Sequence, residues 1–323
     1  MRPAYLQRGL SLIELMVAML LSMLLLLGAT QMFITSKQSY SNNTDLARIQ
    51  ENARFAMEFI GYDLRNAGFK GDCRTDAIIT SPYSSNSDIT DINTPLVVPA
   101  AGSANGDHQL TIKHAATVLA TATSSDISGS SITIESKVIP ESYDYTLISS
   151  IDACELVERG SKSSSATTTL ALNTSLQNTY PADITQILGY TVNTYKVVNR
   201  ALNVVTNKDP SQGGDELVQG IEAIRFTYAE GTGSGQNRRI NDNGYRTANL
   251  ISNWNNVVAV RVQIVAIGGQ DNVVPEDQYY STDFERICGE ANKSECGANP
   301  VRIDGRRLAK LFSSTFSLRN QLP

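Results

Sequence analysis

Only two histidines, His108 and His114, occur in the 323 residues of this chain. They are six positions apart with no cysteine nearby, which is not a metal-ligand spacing, and a polar strand or loop surface is the expectation for both. No G-x-S-x-G, S-x-x-K or G-x-x-x-x-G-K-[ST] occurs, so hydrolase and nucleotide-hydrolysing readings have no footing. The glycines of Gly231–Gly235 precede no helix and do not read as a phosphate cradle. Asp209, Asp215 and Glu216 surround Gly213-Gly214 but lack the EF-hand ligand pattern, and a solvated turn is expected. A basic excess is missing too: 27 Lys and Arg stand against 32 Asp and Glu, a formal net charge of −5. Loss of Arg2 and Arg8 with an N-terminal leader would make it two units more negative. Nucleic-acid binding, which leaves a basic footprint, is thereby disfavoured. No catalysis, metal or cofactor is expected.

The chain holds 41% hydrophobic and 18% charged residues, a globular composition long enough for one large domain or two modest ones. Its four cysteines are Cys73, Cys154, Cys288 and Cys296. No C-x-x-C pair is present, which argues against zinc, and an even count on an exported chain points to two disulfides. Three pairings are possible. Local closure of Cys288 with Cys296 across a short Gly/Asn-containing stretch is the simplest, and leaves Cys73 with Cys154.

What stands out in the sequence is its start. After a short leader comes Arg8-Gly9-Leu10-Ser11-Leu12-Ile13-Glu14-Leu15-Met16, which opens an apolar run reaching Met32, Phe33 and Ile34. A secretory signal places its small-residue cleavage site after the apolar region. Here the good candidate, Gly9, precedes it, and cutting there leaves the apolar segment as the new N-terminus. Leu10 to Ile34 spans roughly 37 Å as a helix, enough for a bilayer core of about 30 Å. Glu14 is the oddity, since a carboxylate at mid-bilayer costs about 2.5–3.5 kcal/mol. Near the helix start the cost falls and the helix dipole favours it. A new α-amine at Leu10 would be largely cationic near neutral pH and could pair with Glu14, on its own helix or on a neighbour's.

This arrangement resembles the leader and N-terminal helix of type IV pilins. The resemblance implies cleavage between Gly9 and Leu10 by a prepilin peptidase, N-methylation of Leu10, and a role for Glu14 in subunit assembly. Where that family usually has phenylalanine, this chain has Leu10.

Beyond the polar Ser36–Asn43 stretch, Leu46, Ile49, Ala53, Ala56, Ile60, Leu64 and Ala67 step by three and four, a helical stripe suited to packing under a sheet. Phe55 and Phe59 should widen it, and Arg54 and Glu58 can pair at i,i+4 on its outer flank. Ala67-Gly68 ends the pattern with glycine as the natural residue past the cap. One long helix, or two in series around Ser36–Asn43, therefore leads into a β-rich region. Strands are expected at Leu110–His114, Ser131–Ile139, Tyr145–Ile151, Thr168–Leu172, Ile187–Val198, Leu202–Thr206, Leu217–Tyr228, Val257–Ile267 and Arg307–Arg319. Ser84–Thr94, Ala120–Ser130, Asp209–Asp215 and Gly231–Asn243 read as loops.

Ile49-Gln50-Glu51-Asn52-Ala53-Arg54-Phe55-Ala56 and Asp63-Leu64-Arg65-Asn66-Ala67-Gly68-Phe69 before Cys73 are similar to PilW-type minor pilins. So are Leu217–Glu222, Val257–Val265 and the closing Phe312–Asn320 strand. The resemblance implies an α+β fold, with a long N-terminal transmembrane and amphipathic α-helix packed on a mainly antiparallel β-sheet domain. Its divisions would be a leader (1–9), an assembly helix (10–35), its amphipathic continuation (36–68) and a periplasmic domain (69–323). The implied role is priming of pilus assembly, with other minor pilins, the major pilin and a PilY-type tip adhesin as partners. The protein would sit in the inner membrane before assembly and then in a pilus that supports twitching motility or adhesion. A J-type pseudopilin of type II secretion is the nearest rival, and a signal-anchored periplasmic enzyme or binding protein a more distant one.

Overall fold

In the computed structural model, residues 11–74, 78–80, 91–99, 108–123, 127–207, 213–233 and 239–321 are described. The apolar run and the stripe beyond it form one uninterrupted helix, α1, Leu12–Asn66. Ser36–Asn43 does not break it, because Ser, Lys, Gln and Asn are tolerated on a solvent-facing helix when no Gly or Pro intervenes. Ala67 caps α1, its N–H bonded to the Leu64 carbonyl, and Gly68 at φ +74° takes the left-handed turn that releases the chain.

Seventeen strands follow among the described residues. The first nine are β1 (Ile78–Thr80), β2 (Leu96–Val97), β3 (Gln109–Thr121), β4 (Ile127–Lys137), β5 (Tyr145–Ser149), β6 (Ala153–Glu158), β7 (Thr167–Tyr180), β8 (Gln186–Val198) and β9 (Ala201–Thr206). The rest are β10 (Asp215–Gln219), β11 (Ile221–Thr232), β12 (Arg239–Ile240), β13 (Val257–Ile267), β14 (Gln278–Tyr280), β15 (Ile287–Gly289), β16 (Val301–Ile303) and β17 (Ala309–Ser317). An eight-stranded sheet runs β1-β6-β5-β8-β3-β2, with β9 also paired to β8 and β10 to β9. A four-stranded sheet runs β12-β11-β13-β17, a small one β15-β14-β16, and β4 and β7 form a ribbon. Among the described residues all strand pairings are antiparallel except β1 with β6.

The principal core lies where α1 meets both large sheets. Ile49, Ala53, Ala56, Ile60, Leu64 and Ala67 pack with Leu110, Ile112, Tyr195 and Leu202 of one sheet and Ile224, Phe226, Val260, Val262 and Ile264 of the other. Each fully buried aliphatic contributes roughly 1.5–3 kcal/mol. The sheets also meet at Gly220, which joins β10 to β11 at φ +73°; a Cβ there would stand 2.9 Å from the Ile267 carbonyl. The expected strand Leu217–Tyr228 is thus two strands in two sheets. Central β13 is apolar on both faces: Val265 and Ile267 point away from α1, toward Phe284 and Ile303.

Cys73 is bonded to Cys154, Cα atoms 6.0 Å apart, tying the chain just past α1 to β6. Cys288 is bonded to Cys296, Cα atoms 6.1 Å apart, within the small-sheet region. A turn at Asn199-Arg200, both at positive φ, closes the β8–β9 hairpin.

Several expectations are corrected. Most of Ala120–Ser130 is not a surface loop: Ala120 is fully buried, Thr121 pairs with Gln186 and β4 starts at Ile127, while residues 124–126 lie outside the described residues. A polar sequence can still be a strand when its pairing partner is remote. In the other loops, residues 84–90, 209–212 and 234–238 lie outside the described residues, Asp215 begins β10, and Gly231 and Thr232 extend β11. Phe55 and Phe59 do not join the core; they are 38% and 45% exposed. Arg54 lies over the Phe55 ring, 5.0 Å from its centroid, and no ion pair with Glu58 forms among the described residues. β6 was not apparent in the sequence.

Truncation of the stripe should therefore be far costlier than truncation beside it. Ile60→Ala is expected to lose about 2–5 kcal/mol, and Phe59→Ala less than about 1 kcal/mol, in denaturant unfolding followed by the single tryptophan, Trp254. Equal losses would contradict this division of the helix.

Candidate assembly surface

Helix α1 serves two environments. From Ser11 to Tyr40 every residue is exposed, and the first buried position is Asp45. Ser11 caps the start at φ −76°, ψ 149°, and its Oγ accepts the Glu14 N–H at 3.2 Å. Ser-Leu-Ile-Glu is the capping-box spacing, which explains locally why the helix begins here. Glu14 is thereby held in the first turn, on the positive end of the dipole.

The hydroxyls along the run turn back on the helix. Ser22 Oγ donates to the Ala18 carbonyl at 2.6 Å, Thr30 to Leu26 at 2.7 Å and Thr35 to Gln31 at 2.9 Å. These three hydroxyls then need no water, which suits immersion in lipid or in a bundle of similar helices. Leu12 to Ile34 covers roughly 34 Å, and none of its apolar window is buried within the chain. An apolar surface this extensive on a soluble protein marks a binding face or a membrane segment. Gly9 and Leu10, the expected cleavage and methylation positions, lie outside the described residues.

A second feature flanks the lower half of α1. A groove of about 540 Å³ is lined by Phe55, Glu58, Phe59 and Tyr62 on the helix and by Asn193, Tyr195, Val204 and Thr206 on β8 and β9. Its floor is a buried polar network centred on Asp63. Asp63 Oδ2 accepts from Asn193 Nδ2 at 2.6 Å and from the Tyr195 hydroxyl at 2.8 Å. Asp63 Oδ1 stands 3.2 Å from His114 Nε2. His114 Nδ1 faces the Ala115 carbonyl at 2.9 Å. Burial, and then the Asp63 charge, push the Tyr195 phenol well above the ordinary tyrosine range, so it remains a donor.

His114 is therefore not on a polar surface, as its spacing suggested; it is 4% exposed. His108 Nδ1 lies 2.6 Å from the Ile224 carbonyl. The network was missed because acid, amide and phenol come from elements far apart in sequence. One signal was available: Asp63 stands three residues after Ile60 and beside Leu64, an acid set into an apolar stripe. Asp215 and Glu216 are exposed on β10. Among the described residues no group of three or more His, Cys, Asp or Glu side chains gathers for a metal ion.

Comparison with known proteins agrees with the two regions separately. Residues 189–320 match the family described as Type IV Pilus-assembly protein W. Residues 5–30 match the prokaryotic N-terminal methylation motif. A type IV-like pilin from Thermus thermophilus aligns over 85% of this chain and 98% of its own, at 12% identity and a TM-score of 0.34. No curated protein matches.

Removing the hub of the buried network strands three partners. Asp63→Ala is expected to cost about 3–5 kcal/mol, read by denaturant unfolding; a loss below about 1 kcal/mol would show that His114, Asn193 and Tyr195 find other partners.

Proposed function

With a PilW match over its C-terminal strands and a methylation motif at its start, the chain is a PilW-like type IV pilin, and we propose that it acts as a minor pilin that primes pilus assembly. In this reading prepilin peptidase cuts between Gly9 and Leu10, and Leu10 is then N-methylated. Residues 1–9 are the leader, 10–35 the membrane and assembly helix, 36–68 its amphipathic continuation, and 69–323 the periplasmic head. The role is structural and non-enzymatic.

The observation that carries the reading is the contrast along α1. Its lower half is held by two sheets, while its upper half is apolar all round, has its hydroxyls satisfied internally and starts at a capped turn bearing Glu14. Such a helix is stable in a bilayer or against copies of itself, and the rigid head keeps it pointing outward. The carboxylate near the new terminus supplies the counter-charge for an α-amine, its own or a neighbour's, as the dry bundle closes. The partners in this reading are the other minor pilins, the major pilin and a PilY-type tip adhesin. The protein waits in the inner membrane and leaves it for the pilus.

N-terminal mass analysis of the mature protein should show a chain beginning at methylated Leu10. An intact Met1 terminus would overturn the proposal. Glu14→Val should leave membrane insertion unchanged and reduce the subunit in sheared pili at least tenfold; undiminished incorporation would show the carboxylate to be dispensable.

A further inference from the structure

Asn42 and Asp45 lie three residues apart on one face of α1 and carry three side-chain oxygens that are sealed from solvent and have no hydrogen-bond partner among the described residues: Asn42 Oδ1, Asp45 Oδ1 and Asp45 Oδ2. Asp45 is fully buried. A carboxylate enclosed without a partner costs several kcal/mol, and such groups are normally paired or coordinate a metal. The cations on the same stretch of helix, Lys37 and Arg48, form no ion pair with it among the described residues.

The facing wall is fitted to the carboxylate. A Cβ at Gly268 would stand 2.7 Å from Asp45 Oδ2, so only glycine lets the main chain come this close. Beside it Ser41 Oγ donates to Gln270 Oε1 at 2.6 Å, holding the segment after β13 against the helix. A groove of about 480 Å³, lined by Lys37, Ser41, Asn42, Gln270 and Asp271 among others, opens on the Asn42 side of this contact and would be the entry path for an ion.

We propose that Asn42 and Asp45 form a calcium site between α1 and the segment 268–272. A bidentate carboxylate and an amide oxygen are the hard donors that calcium takes at about 2.3–2.6 Å, and main-chain carbonyls are its usual complement. Magnesium demands near-ideal octahedral geometry at shorter distances and dehydrates reluctantly, whereas calcium accepts an irregular set of oxygens. Zinc would require nitrogen or sulfur ligands. With a single carboxylate the affinity belongs with extracellular modules, about 10⁻⁴–10⁻³ M. Asp45 is the first buried residue of α1, so the ion would fasten the helix to the head close to where the apolar run leaves it. Calcium would then set the stiffness of the joint between head and anchor.

The test uses the full chain in detergent micelles, freed of metal with EDTA and titrated with CaCl₂ by calorimetry. One site in the stated range is expected, with MgCl₂ at least tenfold weaker. Asp45→Asn and Asn42→Ala should each weaken calcium binding at least tenfold. Asp45→Asn should unfold in EDTA at no lower denaturant than the metal-free wild type, because it encloses no charge; lost binding is then not misfolding. Absence of calcium heat with the wild type, an unchanged affinity in Asp45→Asn, or magnesium binding as tight as calcium would each overturn the site.

Discussion

Ile49, Ala53, Ala56, Ile60, Leu64 and Ala67 form a stripe one side chain wide, and both large sheets close on it. Its small residues let β13 and β17 approach the helix; a Cβ at Gly61 would fall 2.3 Å from the Phe316 ring. The eight-stranded sheet reaches the same stripe through Leu110, Tyr195 and Leu202. Without the helix, neither sheet has a cover for this face. With it, the lower half of α1 is immobilised and the upper half is presented as a rigid rod.

That division follows from solvent. A helix must bury its apolar surface somewhere. Over residues 46–67 apolar side chains occur on one side, and the head suffices. Over residues 12–34 they occur all round, so no single sheet could cover them, and a bilayer or a bundle of like helices is required. The capped start, the returning hydroxyls and the one acid in the first turn suit that second environment.

The polar groups inside the head deepen the picture. Asp63 joins α1 to β3 and β8 by charged hydrogen bonds. Glu155, fully buried on β6, accepts the Gln177 and Asn178 main-chain amides and so holds the β4–β7 ribbon to the large sheet. The Cys73–Cys154 bond adds a covalent tie next to the point where α1 ends. In each case a polar or covalent link ties together elements that hydrophobic packing alone would allow to slide. Asp45 differs in having no hydrogen-bond partner among the described residues.

Local information was enough for the helix, its stop at Ala67-Gly68, the apolar anchor and the long strands β8 and β13, because periods of 3.6 and 2 residues and turn chemistry are written in neighbouring positions. The family-like segments at both ends were legible for the same reason. Tertiary structure decided what depends on distant neighbours. It split Leu217–Tyr228 between two sheets at Gly220, made Ala120–Thr121 part of a strand through pairing with β8, and left Phe55 and Phe59 in the open. It also placed His114 and Asp63 in the interior, where residue type suggested the surface. Burial of a polar side chain depends on which partners other parts of the chain bring to it, and no periodicity records that.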